Sequence, residues 1–478
     1  MEWLPALIVL IIDWAIRIAA IIIIPRNRKP TAATAWLLAI FFIPMIGVLL
    51  FLLVGSPKLP RSRRAKQELI NEAIAIGSEN IHRAKVREPA WLAPLAHMNE
   101  SFGAPPMVGG NTSELIPDYQ ASIDAISKAI DNAVDFVHIE YYIIALDDTT
   151  RGFFAAMERA VKRGVTVRLL LDHVASIRTA THRATFKELT RIGVQWHFML
   201  PVQPFKGNWQ RPDLRNHRKL VVVDGLVGFM GSQNLIDRSY NSKKNIKRGL
   251  MWQELVTRLT GPVVQSIDVI FLSDWYCETD ERLELISPEH PPREHGLVCQ
   301  VVPSGPGYDH ENNLRLFLEL VHAAREKVII TSPYFVPDEA LMYAITSASE
   351  RGLDVQLFVS EIGDQSGVYH AQRSYYGELL RAGVQIWMYP APYILHSKHL
   401  SIDDDVAVIG SSNMDIRSFL LDLEVSLLVR GKPFVDDMRI VEADYRAKGR
   451  ELTLEEWNKE PLLATTLDGI ARLTSSLQ

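Results

Sequence analysis

The sequence predicts an α/β protein of two tandem α/β domains with mixed, mostly parallel sheets, preceded by a two-helix transmembrane hairpin. Three observations predict this class. The chain has 478 residues, which is too long for one ordinary hydrophobic core. Two long apolar runs lie near its start, and one pattern of strands and helices then occurs twice. The composition, 47% hydrophobic and 22% charged, is that of a folded protein.

Residues 1–56 are predicted to form the transmembrane hairpin. The apolar runs 4–24 and 36–54 are each long enough to cross a bilayer. A cleaved signal peptide would need basic residues before the first run, and a buried soluble hairpin would need a polar face; neither is present. Asp13 and Arg17 lie four residues apart, so they share a helix face and are expected to pair.

Basic residues near the two runs predict the orientation of the hairpin. Three lie in the turn between the runs, five follow the second run, and none precedes the first. They are Arg26, Arg28 and Lys29 in the turn, and Lys58, Arg61, Arg63, Arg64 and Lys66 after it. Because two spans would put both ends on one side, five against three places the following domains in the cytoplasm.

The remainder of the chain is divided by its repeats. Residues 57–110 are expected to be a basic, partly helical connector, followed by a first domain, 111–290, and a second domain, 291–450. In each domain a helical stretch ends at a glycine and is followed by an apolar run, as expected for α/β units. The proline-rich residues 287–292 are predicted to link the domains.

The C-terminal tail, 451–478, carries Leu463, Leu467 and Ile470 at helical spacing. Such a stripe more often packs into a core than contacts a membrane, so a core position is expected. Two basic stretches elsewhere, 201–216 and 243–248, are expected to be solvated surface, with contact to anionic headgroups as the alternative.

One short pattern occurs in both domains with identical spacing. A histidine is followed by lysine two positions later, by aspartate seven positions later, and then by Gly-Ser-x-Asn. The first copy comprises His217, Lys219, Asp224, Ser232 and Asn234, and the second comprises His396, Lys398, Asp403, Ser411 and Asn413. Two complete copies inside matching repeats argue against ordinary strands with solvated lysines.

The local geometry of the pattern divides its residues into those that can share one face with the histidine and those that cannot. Residues 221–223 are all valine, which indicates a strand, so His217 and Lys219 point to one face. Asp224 lies an odd number of positions from both and is expected to have a structural role, as is Asp403. Ser232 and Asn234 follow the returning strand and could approach the histidine.

These residue types suit chemistry at a phosphodiester. Lysine and asparagine side chains donate hydrogen bonds to phosphate oxygens, and such donors are the main contribution of proteins to phosphoryl transfer. One neutral imidazole could attack phosphorus while the second, protonated, gives its proton to the departing alcohol. The sequence does not decide which histidine does which.

The two copies resemble the HKD signature of the phospholipase D superfamily. Over nearly the full chain the sequence resembles one branch, the bacterial cardiolipin synthases, through these segments: Ala35-Trp36-Leu37-Leu38, Ser304-Gly305-Pro306-Gly307, Ser332-Pro333-Tyr334-Phe335-Val336-Pro337 and Asn413-Met414-Asp415-Ile416-Arg417-Ser418. The tail departs from the basic, aromatic tail of that branch.

The resemblance implies two tandem phospholipase D-like domains in a multi-pass protein of the bacterial inner membrane. It implies transfer of a phosphatidyl group between two phosphatidylglycerols through a phosphohistidine, with release of glycerol. Its implied catalytic motif residues are His217 as nucleophile, His396 as acid and base, Lys219, Lys398, Asp224 and Asp403. Implied phosphate ligands are Ser232, Asn234, Ser411 and Asn413, and Glu254 and Glu424 would orient the histidines.

Several function classes are disfavoured or left open. The net charge of −5 gives no reason to expect nucleic acid, and phosphatidylglycerol and other anionic lipids are the expected partners. Histidine and cysteine lack ligand spacing, so neither a metal nor another cofactor is expected. Hydrolysis by a phospholipase or nuclease, transfer to another alcohol such as serine, and a non-catalytic scaffold are the alternatives. The intact histidines and lysines argue against the scaffold.

Overall fold

The computed structural model describes residues 3–27, 30–55, 59–60, 63–67, 69–70, 84, 89–203, 211–288 and 296–473. Three parts of the predictions lie outside these ranges: residues 57–58, 61–62, 68, 71–83 and 85–88 of the connector, residues 289–292 of the linker, and residues 204–210 of the basic stretch. The helices are α1 Trp3–Ile23, α2 Pro30–Phe42, α3 Pro44–Val54, α4 Leu92–Ser101, α5 Tyr119–Asp131, α6 Arg151–Lys162, α7 His173–Ile177, α8 His182–Ile192, α9 Lys243–Arg248, α10 Val263–Thr279, α11 Asn312–Ala323, α12 Glu339–Glu350, α13 Ser366–Arg373, α14 Tyr376–Arg381, α15 Ile416–Leu420, α16 Lys432–Lys448, α17 Leu454–Trp457 and α18 Leu462–Leu473.

The strands are β1 Val108–Ile116, β2 Phe136–Tyr141, β3 Thr166–Asp172, β4 Gln195–Met199, β5 Arg215–Asn216, β6 Leu220–Val223, β7 Val227–Gly231, β8 Met251–Gln253, β9 Val256–Thr260, β10 Leu297–Ser304, β11 Lys327–Thr331, β12 Phe335–Val336, β13 Asp354–Ser360, β14 Gln385–Tyr389, β15 Tyr393–Leu395, β16 His399–Ile402, β17 Val406–Gly410, β18 Met414–Asp415, β19 Asp422–Arg430 and β20 Arg450–Leu452.

The N-terminal helices form a unit of their own. Helix α1 has 21 residues and a length of about 31 Å, enough to cross a bilayer. The predicted pair within it is confirmed, because Nε of Arg17 donates to Oδ2 of Asp13 at 2.8 Å. Among the described residues, α1 is the one helix that is both long and apolar enough to span.

The predicted second span is divided into two short helices. Helix α3 begins at Pro44, which has no N–H to continue the preceding helix. The rings of Trp36 and Phe51 lie 5.4 Å apart, and a Cβ added at Gly47 would lie 2.8 Å from the carbonyl oxygen of Ala39, so α3 folds back along α2. With 13 and 11 residues, these helices are about 20 and 17 Å long, shorter than a hydrocarbon core of about 30 Å. The expectation of a second continuous span was therefore wrong.

The second unit contains one long mixed sheet with the strand order β20-β14-β13-β11-β16-β17-β19-β10-β1-β9-β7-β6-β2-β3-β4. Four of its neighbouring pairs are parallel and ten are antiparallel. The prediction of mostly parallel pairing was therefore wrong. Apolar runs do not reveal pairing direction, and in each half the chain returns through antiparallel hairpins after three parallel strands.

The two halves of this sheet repeat each other in the same order. The first runs β1-β9-β7-β6-β2-β3-β4 and the second runs β10-β19-β17-β16-β11-β13-β14. They meet where β1 and β10 pair antiparallel, Val108 opposite Cys299 and Asn111 opposite Leu297. The two halves are thus joined at equivalent strands, and the strands of the repeated pattern, β6 and β16, each lie three places from that junction.

Candidate active site

Each histidine of the repeated pattern is positioned by the opposite half. His217 follows β5, which pairs in parallel with β19, and its N–H donates to the carbonyl oxygen of Leu423 at 2.8 Å. His396 follows β15, which pairs in parallel with β8, and its N–H donates to Gln253 at 2.7 Å. Both histidines are buried. These short crossed pairings bring the two copies into one cluster.

The glutamates are exchanged between the halves. Nδ1 of His396 lies 2.8 Å from Oε1 of Glu254, which belongs to the first half. Nδ1 of His217 lies 3.0 Å from Oε1 of Glu424, which belongs to the second half. Each carboxylate contacts its ring at Nδ1 and so fixes the tautomer, which makes Nε2 the nitrogen for attack or proton transfer.

The structure does not bring Ser232 and Ser411 to the phosphate position that the resemblance implies. The hydroxyl of Ser232 donates to Oε2 of Glu254 at 2.6 Å and accepts from the N–H of Leu255 at 3.0 Å. The hydroxyl of Ser411 donates to Glu424 in the same way. Both hydroxyls are occupied in holding the carboxylates, so these serines are positioning residues.

The structure also does not bring Asp224 and Asp403 to the cluster. Asp224, at φ 51°, accepts from the N–H groups of residues 134, 135 and 136 at 2.8–2.9 Å, where β2 begins. Asp403 accepts equivalent bonds from residues 325, 326 and 327 at the start of β11. The implied catalytic assignment is corrected to a structural one, in agreement with the odd spacing from the histidine and lysine.

The motif glycines are required by close strand packing. A Cβ at Gly231 would lie 2.3 Å from the carbonyl oxygen of Leu255, and one at Gly410 would lie 2.4 Å from that of Val425. No side chain fits at such distances, so the glycines allow close approach of β9, which follows Glu254, and of β19, which carries Glu424.

The lysines and asparagines lie in the buried cluster. Nζ of Lys219 donates to the carbonyl oxygen of His217 at 2.5 Å, and Nζ of Lys398 donates to that of His396 at 2.7 Å. Nζ of Lys398 also lies 3.2 Å from both ring nitrogens of His396. The asparagines, Asn234 and Asn413, are buried, and Nδ2 of Asn234 donates to the hydroxyl of Tyr240 at 2.8 Å.

Burial shifts the pKa values of the basic groups downwards. It lowers the pKa of Lys219 to about 7 and that of Lys398 to about 8, although nearby glutamates oppose the shift. Burial and the lysine charges bring the pKa of His217 well below 6.5, and burial lowers that of His396 to about 4 despite Glu254. An anion placed among these groups would restore their charges, so the cluster is suited to a phosphate.

The pKa values of Glu254 and Glu424 shift in opposite directions, although the contacts of the two carboxylates are equivalent. Burial raises the pKa of Glu424 to about 7. Burial would also raise the pKa of Glu254, but His396 and the charge of Lys398 lower it overall. Glu254 therefore remains ionised against His396, whereas Glu424 holds its charge less firmly beside His217.

Sequence reasoning missed a set of tyrosines around the imidazoles. The ring of Tyr142 meets that of His217 edge-on with centroids 5.0 Å apart, and Tyr334 lies 6.3 Å from His396. The hydroxyl of Tyr240 lies 3.3 Å from Oε1 of Glu254. Tyr142 lies one residue after β2 and Tyr334 three residues after β11, so an aromatic residue shortly after the equivalent strand of each half was the available signal.

In this site each histidine contacts a glutamate from the opposite half of the sheet, and two buried lysines lie beside them. This arrangement defines an enzyme of the phospholipase D class. The fold is similar to the crystal structure of phosphatidylserine synthase from Haemophilus influenzae Rd KW20, with a TM-score of 0.58, 14% identity and coverage of 77% of this chain and 95% of that one. At that identity the similarity concerns the fold alone.

Sequence comparison identifies the family. The family described as "Cardiolipin synthase, PLD-like domain" matches residues 126–275 and 317–441, and "Phospholipase_D-nuclease N-terminal" matches residues 14–56. Cardiolipin synthase A of Pseudomonas putida (strain GB-1) is 33% identical over 96% of this chain and 95% of its own. Cardiolipin synthase A of Proteus mirabilis (strain HI4320) is 30% identical over 94% of both. The chain belongs to the cardiolipin synthases with phospholipase D-like domains, and it is a phosphatidyltransferase.

Proposed function

We propose that the enzyme transfers the phosphatidyl group of one phosphatidylglycerol to a second, forming cardiolipin and releasing glycerol through a phosphohistidine. The observation that carries the proposal is the pair of exchanged histidine–glutamate contacts around two buried lysines. The site is contributed by the proposed domains 111–290 and 291–450, and neither domain supplies a complete histidine–glutamate pair.

In the first step, neutral His217 attacks phosphorus through Nε2 while Glu424 accepts from its Nδ1–H. His396, whose pKa is lowered to about 4 in the empty site, takes up a proton when the phosphate anion binds and is then stabilised by ionised Glu254; it donates that proton to the glycerol oxygen as the phosphorus–oxygen bond breaks. The lower pKa of Glu254 supports this assignment, because an ionised carboxylate stabilises the imidazolium that an acid requires.

In the second step, the hydroxyl of another phosphatidylglycerol gives its proton to His396 and attacks the phosphohistidine. His217 leaves as neutral imidazole, and the protonated His396 is ready for the next cycle. Lys219, Lys398, Asn234 and Asn413 hold the phosphate oxygens in both steps, where charge-assisted hydrogen bonds are the strongest available contacts.

The test incubates the purified enzyme with phosphatidylglycerol in vesicles and resolves the products. Equal amounts of cardiolipin and glycerol are expected, and peptide mapping after a rapid quench should place the phosphatidyl group on His217. His217→Ala and His396→Ala should abolish turnover, whereas His310→Ala, at an exposed histidine, should not. Phosphatidic acid as the sole lipid product would instead identify a hydrolase.

We further propose that the domains lie on the cytoplasmic face of the bacterial inner membrane, with α1 as the only crossing in residues 3–55. Ala20, in the half of α1 nearer the turn, and Ile24, just after α1, belong to an apolar cluster that also contains residues of α2, and Ile16 of α1 and residues of α3 pack against it. This supports a hairpin of α2 and α3 that enters the bilayer part of the way and returns. The turn and the segment after residue 55, which hold all eight basic residues counted above, would then share the cytoplasmic side.

Labelling from outside the cell distinguishes this arrangement from a two-span hairpin. In intact spheroplasts a membrane-impermeant maleimide should label Glu2→Cys but not Glu455→Cys, an exposed position on α17. The native Cys277 and Cys299 are buried and serve as the background. Protection of both introduced cysteines until the membrane is opened would favour two spans.

A further inference from the structure

The C-terminal helix α18 is turned the opposite way from a helix in a soluble core. Its apolar side chains Leu463, Leu467, Ile470 and Leu473 are 73%, 47%, 56% and 82% exposed. Its acidic residue, Asp468, is 1% exposed. The expectation that the leucine stripe packs into the core was therefore wrong.

Polar contacts hold α18 against α13. Oδ1 of Asp468 lies 2.7 Å from Nδ1 of His370, and its Oδ2 accepts from Nε of Arg373 at 3.2 Å. Arg373 also pairs with Glu460, just before α18, at 2.9 Å. Because these contacts fix the inward face with polar groups, the apolar stripe stays outside the fold.

The basic helix α9 contacts the loop that leads into α13. Nη2 of Arg248 donates to the carbonyl oxygen of Gly363 at 3.0 Å, and Nζ of Lys244 lies 3.5 Å from that of Asp364. The four basic side chains of α9 are exposed, as is Ile246 at 59%. An exposed positive helix and an exposed apolar helix therefore flank the same segment, residues 363–373.

This segment is connected to the active site. The carboxylate of Asp364 accepts from the hydroxyl of Tyr334 at 3.0 Å, and the ring of Tyr334 lies edge-on to His396. Gln372 of α13 accepts from the N–H of Phe335 at 2.9 Å. A partner bound to α9 and α18 would therefore lie next to the part of the active site that contains His396.

We propose that α18 and α9 form a docking surface for an anionic lipid bilayer, distinct from the N-terminal helices. The leucine stripe of α18 enters the interface between headgroups and acyl chains, and the basic side chains of α9 contact anionic headgroups. Charge complementarity between α9 and anionic headgroups selects a bilayer as the occupant, and the enzyme acts on lipids. A protein partner would not require both a basic helix and an apolar helix beside the active site. The surface delivers membrane-embedded lipid to the His396 side.

Spin labels on the full chain in phosphatidylglycerol-containing vesicles test the position of α18. A label at Leu467→Cys should relax more with oxygen, which partitions into lipid, than with a water-soluble nickel complex. A label at Gly469→Cys, where a Cβ meets open space on another side of the helix, should show the reverse. Water-like relaxation at both positions would overturn the proposal.

Activity assays separate docking from catalysis. The triple variant Leu463→Ser, Leu467→Ser, Ile470→Ser should lose about tenfold or more of its activity on vesicle lipid, since three apolar insertions are removed. It should retain wild-type activity on a short-chain, monomeric phosphatidylglycerol. The control Ile440→Ser, at a 70% exposed position on α16, should leave both activities unchanged. Equal losses on both substrates, or no loss on vesicles, would refute docking through α18.

Discussion

Glu254→Gln is expected to lower the turnover number by about 10- to 150-fold without unfolding the enzyme. The carboxylate lies 2.8 and 2.9 Å from Nδ1 of His396 through its two oxygens, and it is 1% exposed. Glutamine keeps the volume but removes the charge that stabilises the imidazolium. A hydrogen bond to a charged group contributes about 1.5–3 kcal/mol, and each 1.36 kcal/mol changes a rate by about a factor of ten.

The assay is the initial rate of cardiolipin formation under saturating phosphatidylglycerol, together with the melting temperature. Glu455→Gln, at an exposed glutamate, is the matched control and should behave as wild type. The affected histidine belongs to the other half of the chain, so the loss tests the exchange itself. Wild-type turnover by a correctly folded Glu254→Gln enzyme would refute the reasoning.

Three further predictions concern stability, pH and positioning. Asp224→Asn weakens bonds from three backbone N–H groups, so the free energy of unfolding should fall by about 1.5–3 kcal/mol while turnover per folded molecule is retained; a rate loss with unchanged unfolding would contradict this. Inhibition by inorganic vanadate should weaken as pH rises from 7 to 9, because the pKa values of Lys219 and Lys398, about 7 and 8, mean that the free site loses its cations there. An inhibition constant that improves with pH would exclude this. Ser232→Ala should slow turnover less than Glu254→Gln, since the charge on the glutamate remains, and a larger loss would give the serine another role.

The repeated pattern allowed the local part of the site to be predicted. Val221 and its neighbours indicate a strand, and period-two alternation correctly separates His217 and Lys219 from Asp224. The exchange of Glu254 and Glu424 could not be predicted, because it depends on two- and three-residue strands that pair across distant parts of the chain. Such strands carry no hydrophobic period.

Hydropathy correctly identified the apolar N-terminal segments but not their path. Residues 36–54 are apolar throughout, so a sliding average describes one span, whereas Pro44 and the contact of Gly47 with Ala39 reverse the chain. The leucine stripe of α18 was misassigned for a related reason. Periodicity shows that a helix has an apolar face, but the burial of Asp468 against His370 decides which face turns outward.

Because each glutamate contacts the histidine of the other repeat, neither repeat forms a complete histidine–glutamate pair alone. A substitution that displaces Glu254, just before β9, would disturb His396, which is carried in the second repeat. Separately expressed halves would each carry a mismatched histidine and glutamate, and activity should return only when the halves reassemble. The two repeats therefore form a single functional unit.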